Sequence, residues 1–389
     1  MIPYSKQNIS FIDALVVARQ VKFKSLTQGQ AINKFEDSVA KYVGSRFAVA
    51  VSSGTAGLHL AHLALGQPKG SKVITSPISF VASANSILYA DQYPVFVDID
   101  PTTGNIDIEK LKDEISKGEI RTVVPVHFAG FPCDMEEIFR ICKNRSIGII
   151  EDAAHALGGF YSTGQRIGSC VFSDLTVFSF HPVKSITTGE GGVITTNNEE
   201  LYLKLLELRT HGITSNNKLV NNQILGYTNG KRNVWYYEMQ NLGYHYRLTE
   251  IQAVLGSAQM KKIDRFINKR KSVARRYNKM LKKIDVLELL IGNKTTNSAF
   301  HLYPIKIKFE KISISRNDLM LELRKLGIMS QVHYLPIPLH PYYQQLGYKA
   351  DQIPQALDFY FNILSIPIYP NLGRFKQRKV VRSLVKLLR

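Results

Sequence analysis

The chain has 389 residues, 44% hydrophobic and 21% charged, enough to bury an ample core in one large domain with a smaller one beside it. No apolar run reaches the ~18 residues of a membrane-spanning helix, and the polar stretch 1–10 has no signal-like apolar core. The formal charge of +19 favours anionic partners, while Cys133, Cys142 and Cys170 have neither CxxC nor zinc-site spacing, so reduced thiols, a cytoplasmic location and no metal site are expected.

From residue 46 onward, short β-rich runs alternate with helical ones. The expected strands are 47–52, 73–76, 95–98, 122–128 and 148–152, with helices at 55–65, about 80–90, 108–115 and 136–143. This order predicts an α/β fold, a mostly parallel sheet covered by helices, whose interior strands are nearly all apolar, as in Ile147-Gly148-Ile149-Ile150. A further strand-like run, 175–180, leads into a loop in which Pro182 excludes a regular helix or central strand, and that loop presents Lys184 ahead of a Gly-rich turn. The stretch 213–240 is polar, rich in Asn, Gly and Tyr, holds the single tryptophan Trp235, and reads as a long loop.

Between 261 and 283 the chain carries eleven Lys or Arg residues, while Ile263, Phe266, Ile267, Val273, Ala274, Tyr277 and Leu281 recur at helical spacing. That is an amphipathic helix with a basic face. A solvated face is the plain reading; attraction to an anionic membrane surface, to nucleic acid or to an anionic small substrate such as a nucleotide sugar is the alternative. No helix-turn-helix, RNP-like or zinc-finger pattern is present, so no nucleic-acid partner is expected. A smaller α+β unit follows, with strands at 301–308 and 329–334 and helices near 316–326 and 375–388. The boundary is placed near 255–260, giving a large domain, 1–258, and a small one, 259–389. There are no internal repeats.

Four sites along the chain suit one ligand. Ser53-Gly54-Thr55-Ala56-Gly57 follows a strand and opens a helix, where backbone N–H groups and the helix N-terminus receive an anion, or where the serine simply caps the helix. Thr55 and Ser179 add hydroxyl donors to a phosphate. Asp152 ends a buried strand, where a carboxylate is costly unless matched by a cation such as a protonated pyridine nitrogen; a helix cap is the alternative. Phe80, starting a helix after Pro77, either stacks on a planar ring or belongs to the core. Lys184, if desolvated near a cationic ring, becomes a nucleophile able to form a Schiff base; otherwise it is a surface lysine. Anion cradle, ring-nitrogen carboxylate, stacking aromatic and Schiff-base lysine together make the parts list for pyridoxal 5′-phosphate (PLP).

The motifs SGTAGLHLA, PVFVDID, EDAAHALGG, FSFHPVKSITTGEGG, GYHYRLTEIQAVLGSAQ and VHYLPIPLHPYY span essentially the whole chain. With them the chain resembles the DegT/DnrJ/EryC1/StrS family of sugar aminotransferases, PLP-dependent enzymes of fold type I. The resemblance implies that Lys184 forms the Schiff base, that Asp152 partners the pyridine nitrogen, that Phe80 stacks on the ring and that His155 lies beside it. It assigns Gly54, Thr55, Ala56 and Ser179 to the phosphate. Tyr4, Leu26, Thr27, Gln28, Gly29, Val332, His333, Tyr334 and Leu335 match segments lining the sugar-nucleotide site. His245, in GYHYR, stands where the family often has an asparagine supplied by a neighbouring subunit to the phosphate, and a histidine can donate a hydrogen bond there too. A homodimer with shared active sites is therefore implied. Within the family, the opening IPYSKQ, HLYPI at 301–305 and SQVHY at 330–334 look most like the pseudaminic-acid branch. Those enzymes aminate C4 of a UDP-linked 4-keto-6-deoxy-N-acetylhexosamine with L-glutamate as donor. The same chemistry at C3, or on a dTDP-linked ketosugar, is the rival within the family; a PLP-fold regulator that binds DNA through the basic helix is the rival outside it.

Overall fold

The computed structural model describes residues 1–214 and 221–388; residues 215–220 of the expected loop 213–240 lie outside them. Helices α1 (Phe11–Phe23) and α2 (Gln30–Val43) precede the first strand, β1 (Phe47–Val51). There follow α3 (Gly54–Leu65), β2 (Lys72–Thr75), α4 (Ala82–Tyr89), β3 (Tyr93–Phe96), α5 (Ile108–Ser116), β4 (Ile120–Val124), α6 (Met135–Lys143) and β5 (Gly148–Asp152). Two more strands, β6 (Leu175–Ser179) and β7 (Gly192–Thr196), complete a sheet in the order β1-β7-β6-β5-β4-β2-β3. The pairs β3–β2–β4–β5–β6 are parallel, as the alternation predicts; β7 runs antiparallel to both β6 and β1.

Two strand ends differ from expectation because of proline. β4 stops at Val124 rather than 128, since Pro125 offers no N–H to the ladder. β3 lies at 93–96 rather than 95–98 and tolerates Pro94 because it is the sheet edge. Beyond α7 (Glu199–Leu208), the expected loop carries short paired pieces. These are β8 (Ile213–Thr214) with β11 (Glu238–Met239), and β9 (Tyr227–Thr228) with β10 (Lys231–Arg232), beside the short helix α8 (Gln223–Gly226).

The segment after it runs through α9 (Glu250–Met260) into the basic helix α10 (Ile263–Leu281). Ile263, Phe266 and Ile267 of α10 join the core that also holds α2 and the sheet, whereas Val273, Ala274, Tyr277 and Leu281 join a second core. That second core is built on β12 (Leu287–Leu289), β13 (Tyr303–Ile307) and β14 (Ile363–Ile366), an antiparallel sheet in the order β12-β13-β14. Around this sheet lie α11 (Ile291–Lys294), α12 (Arg316–Lys325), α14 (Pro354–Asn362) and α15 (Arg374–Leu387), whereas α13 (Pro341–Gln345) packs through Tyr343 against α4 and Phe96 of β3. Ile2 is buried in the same core, its N–H donating to the Gly327 carbonyl at 2.7 Å.

The expected strand 329–334 is absent, and this is a correction. Only Gln331 pairs, exchanging backbone hydrogen bonds with Ser365 of β14 at 3.1 and 2.8 Å. The next residues leave the sheet edge to line a cavity, and Pro336 and Pro338 exclude further ladder bonds. The third strand is the apolar run of β14, which follows α14 without an intervening turn.

Candidate active site

A cavity of about 550 Å³ opens at the C-terminal ends of β5 and β6, the crevice where open α/β sheets place ligands. It lies between the large sheet on one side and Tyr4, His301 and Gln331–Tyr334 on the other.

Asp152 is the last residue of β5 and is buried. Its Oδ2 accepts from Ser83 Oγ at 2.6 Å and its Oδ1 from the Ala154 N–H at 3.1 Å. Ser83 sits on α4 and in turn meets Ser79 Oγ at 2.6 Å, so α4 anchors the carboxylate. The capping alternative is thereby limited to one backbone bond in a turn, since no helix starts there.

Lys184 reaches the cavity from the loop after β6. Its backbone N–H bonds to the His181 carbonyl at 2.9 Å, closing a tight turn, and Ser5 Oγ ties the neighbouring Val183 carbonyl at 3.0 Å. Burial lowers the ammonium to about 8, against the raising pull of Asp152. Three buried imidazoles share the site. Burial, then Lys184 and His333, hold His155 well below the ordinary histidine range; burial and Lys184 hold His333 down to about 3; His301 is lowered in the same sense, by burial first and His155 next. All three are neutral at pH 7. His155 Nε2 meets Tyr334 Oη at 3.0 Å, and the rings of His155 and His301 lie 4.4 Å apart.

Ser53 caps α3, its Oγ accepting from the Ala56 N–H at 3.0 Å, so the remaining N–H groups of the first turn point out of the helix beside Ser179. The turn is built for close approach. A Cβ on Gly54 would stand 3.0 Å from Ser179 Cβ, and one on Gly192 would stand 2.5 Å from the Ser53 carbonyl oxygen. Phe80 is 58% exposed, which removes it from the core and leaves its ring bordering the cavity.

The structure thus gathers Tyr4, Gly54, Thr55, Phe80, Asp152, His155, Ser179, Lys184, Val332, His333 and Tyr334 around one cavity. Ala56, the third residue of α3, and Leu335 lie just outside the cavity lining. Leu26, Thr27, Gln28 and Gly29 are elsewhere, against Glu250, whose N–H donates to the Leu26 carbonyl at 3.0 Å. The carboxylate of Glu250 caps α2 through the N–H groups of Ala31 and Ile32 at 2.8 and 3.1 Å. His245 bridges to Thr210, with its ring 5.3 Å from that of His211, and does not line this cavity. Ser83, His301, Gln331 and Glu190 were not foreseen. Ser83 lies inside α4 and His301 stood in the HLYPI motif, and neither carried a signal of its role in the sequence.

The residues present fit PLP: a helix N-terminus with hydroxyls for a phosphate, a held carboxylate for a ring nitrogen, an exposed aromatic for the ring face and an amine of lowered pKa for the carbonyl. Fold and site together define an aminotransferase of the PLP type I class. Residues 12–385 match the model of the DegT/DnrJ/EryC1/StrS aminotransferase family, and the chain belongs to that family.

Among curated relatives, the spore coat polysaccharide biosynthesis protein SpsC of Bacillus subtilis is 37% identical, covering 96% of this chain and 93% of its own. The UDP-4-amino-4,6-dideoxy-N-acetyl-beta-L-altrosamine transaminase of Campylobacter jejuni (strain 81-176) is 36% identical, covering 98% and 96%. Among solved structures, Helicobacter pylori PseC, an aminotransferase of pseudaminic acid biosynthesis, superposes with a TM-score of 0.90 at 32% identity over 100% of this chain and 99% of its own. The putative sugar aminotransferase Spr1654 of Streptococcus pneumoniae, in its PMP form, gives 0.89 at 29% identity, with 100% and 99% covered.

Proposed function

We propose that this aminotransferase transfers the amino group of L-glutamate to C4 of a UDP-linked 4-keto-6-deoxy-N-acetylhexosamine. The product is UDP-4-amino-4,6-dideoxy-N-acetyl-beta-L-altrosamine, an intermediate of pseudaminic acid biosynthesis. The observation that carries the reading is the half-buried Lys184, its amine of lowered pKa held in one cavity with Asp152. The name of the Campylobacter relative supplies the sugar, and that of Helicobacter PseC the pathway.

PLP, when bound, supplies the carbonyl that accepts the amino group and a ring that takes up the electrons of the breaking C–H bond. Ser53, Gly54, Thr55 and Ser179 would hold its phosphate, Phe80 would cover the ring and Asp152 would keep a proton on the ring nitrogen. Lys184, neutral for much of the time near pH 8, takes the proton from the glutamate Cα and returns one to the sugar carbon in the reverse half-reaction. Neutral His155 and Tyr334 form one hydrogen-bonded unit that orients the ring edge without adding charge. Tyr4, Val332, His333 and Tyr334 line the sugar side.

We further assign His245 and residues 26–29 to the site of a partner subunit in a cytoplasmic homodimer, each protomer divided near 255–260. Exposed apolar side chains support the dimer: Phe11 on α1 is 82% exposed and Trp235 72%. No helix among the described residues is long and apolar enough to cross a membrane.

The test is to incubate full-length protein with PLP, L-glutamate and a panel of UDP- and dTDP-linked 3- and 4-ketosugars, reading products by mass spectrometry and NMR. C4 amination of the UDP 4-ketosugar is expected. Reaction of a dTDP-linked sugar alone, or at C3, would transfer the assignment to another nucleotide sugar. Light scattering on the same preparation should give twice the 43.9 kDa chain; a single chain's mass would remove the shared site.

A further inference from the structure

The basic helix α10 has a second cationic helix beside it. α15 carries six Lys or Arg and no carboxylate, and no Asp or Glu occurs in the chain after Asp358. The two helices are held together by Gln377 of α15, whose Nε2 donates to the Val273 carbonyl at 2.7 Å and whose Oε1 accepts from Arg276 Nε at 2.6 Å. Lys269 Nζ donates to Asn371 Oδ1 at 3.0 Å just ahead of α15. Burial, and next the Arg374 guanidinium of α15, keeps Arg276 below the ordinary arginine range. The cations of the two helices are therefore close enough to repel.

Their outward residues fall in two stripes. On α10 these are Arg265, Arg275, Lys279 and its capping Lys282, all exposed, with Lys261 in the turn ahead. On α15 they are Phe375, Arg378, Lys379, Arg382 and Lys386, also exposed. Each stripe spans an arc of about 100° on a helix of 3.6 residues per turn, and the opposite face of each helix is buried in the same core. None of these cations forms an ion pair among the described residues. The single carboxylate on α10, Asp264, is engaged by Tyr42 and Arg166. Phe375 stands 88% exposed between Arg374 and Lys376.

We propose that the paired outer faces of α10 and α15 form a docking surface for an anionic phospholipid membrane. Uncompensated cations on two side-by-side helices meet the negative headgroups of a flat bilayer, and Phe375 enters the headgroup boundary. An exposed aromatic at the end of a basic helix suits a lipid boundary. Nucleic acid would instead call for a groove or for aromatics interleaved along the cations as stacking platforms, and the two stripes offer one aromatic only. None of these residues lines the catalytic cavity, so the surface acts in addition to the transamination chemistry.

The experiment is co-sedimentation of the full-length, PLP-loaded protein with vesicles of phosphatidylcholine alone or mixed with phosphatidylglycerol, at low and high salt. Binding to the anionic vesicles is expected to exceed that to the neutral ones by at least about tenfold, and to weaken with salt. Joint reversal (Arg275→Glu, Lys279→Glu, Arg378→Glu, Arg382→Glu) should remove that preference with amination unchanged. The milder Lys279→Gln with Arg382→Gln should lower it in proportion, should the reversed protein fail to fold. Phe375→Ala should weaken the binding that survives high salt. Equal binding to both vesicle types, or unchanged binding by the reversed and neutralised variants, would overturn the proposal. So would displacement from the vesicles by duplex DNA at matched charge together with tight binding to that DNA, which would transfer the surface to nucleic acid.

Discussion

Lys184 shares its cavity with Asp152 and with the buried, uncharged imidazoles of His155, His301 and His333, and this company sets its chemistry. An ordinary lysine, with a pKa of 10.5, is almost wholly protonated near neutrality; burial brings this one to about 8, so its amine becomes mostly neutral above that pH. Capture of PLP by cofactor-free protein, trapped with borohydride, should therefore rise with pH through a midpoint near 8. A midpoint near 10.5 would mean that burial does not act on this amine. Lys184, Asp152 and Phe80 were legible in the sequence because each stands at a strand or helix end with a distinctive neighbourhood. Ser83 and His301 were not, since a serine inside a helix and a histidine ahead of a strand announce nothing until folding sets them beside Asp152 and His155.

At the scale of elements, the strand that ends in Asp152 is fixed by the residue before it. Glu151 is fully buried and faces away from the cavity. Its carboxylate accepts from His127 Nε2 at 2.7 Å, from Tyr161 Oη at 2.8 Å and from Thr176 Oγ1 at 2.9 Å, with Ser173 Oγ as a further donor. Burial works against the charge, yet the donors of His127, Ser173 and Tyr161 outweigh it and hold the carboxyl below its ordinary range. The network ties β5 to the turn after β4 and to β6, the strand that leads to Ser179 and Lys184. Glu151→Leu takes the acceptor from three buried donors and the half-buried Ser173, and should cost about 3 kcal/mol or more, read as a lowered urea midpoint. A loss under about 1 kcal/mol would mean that the network does not hold these strands together.

For the whole molecule, the run of apolar strands alternating with helices was enough to predict the parallel sheet. The reversal at β7 was not legible, because strand direction depends on the length and course of the connection rather than on the strand's own residues. The mistaken strand at 329–334 has the opposite cause: its residues suit a strand, but their side chains are spent on the cavity. Position along the chain likewise hid the joining of α10 with α15, roughly a hundred residues apart, into one charged face.

The central claim is that Lys184 carries the cofactor and moves the proton. The most direct measurement follows 2-oxoglutarate and aminated sugar from L-glutamate and the UDP 4-ketosugar, in the native protein and in Lys184→Ala, with peptide mapping after borohydride treatment of the PLP-loaded native protein. The account predicts a pyridoxyl mass on the Lys184 peptide and no measurable turnover by the variant. A tag on another lysine, or amination by Lys184→Ala at a rate near the native one, would contradict it.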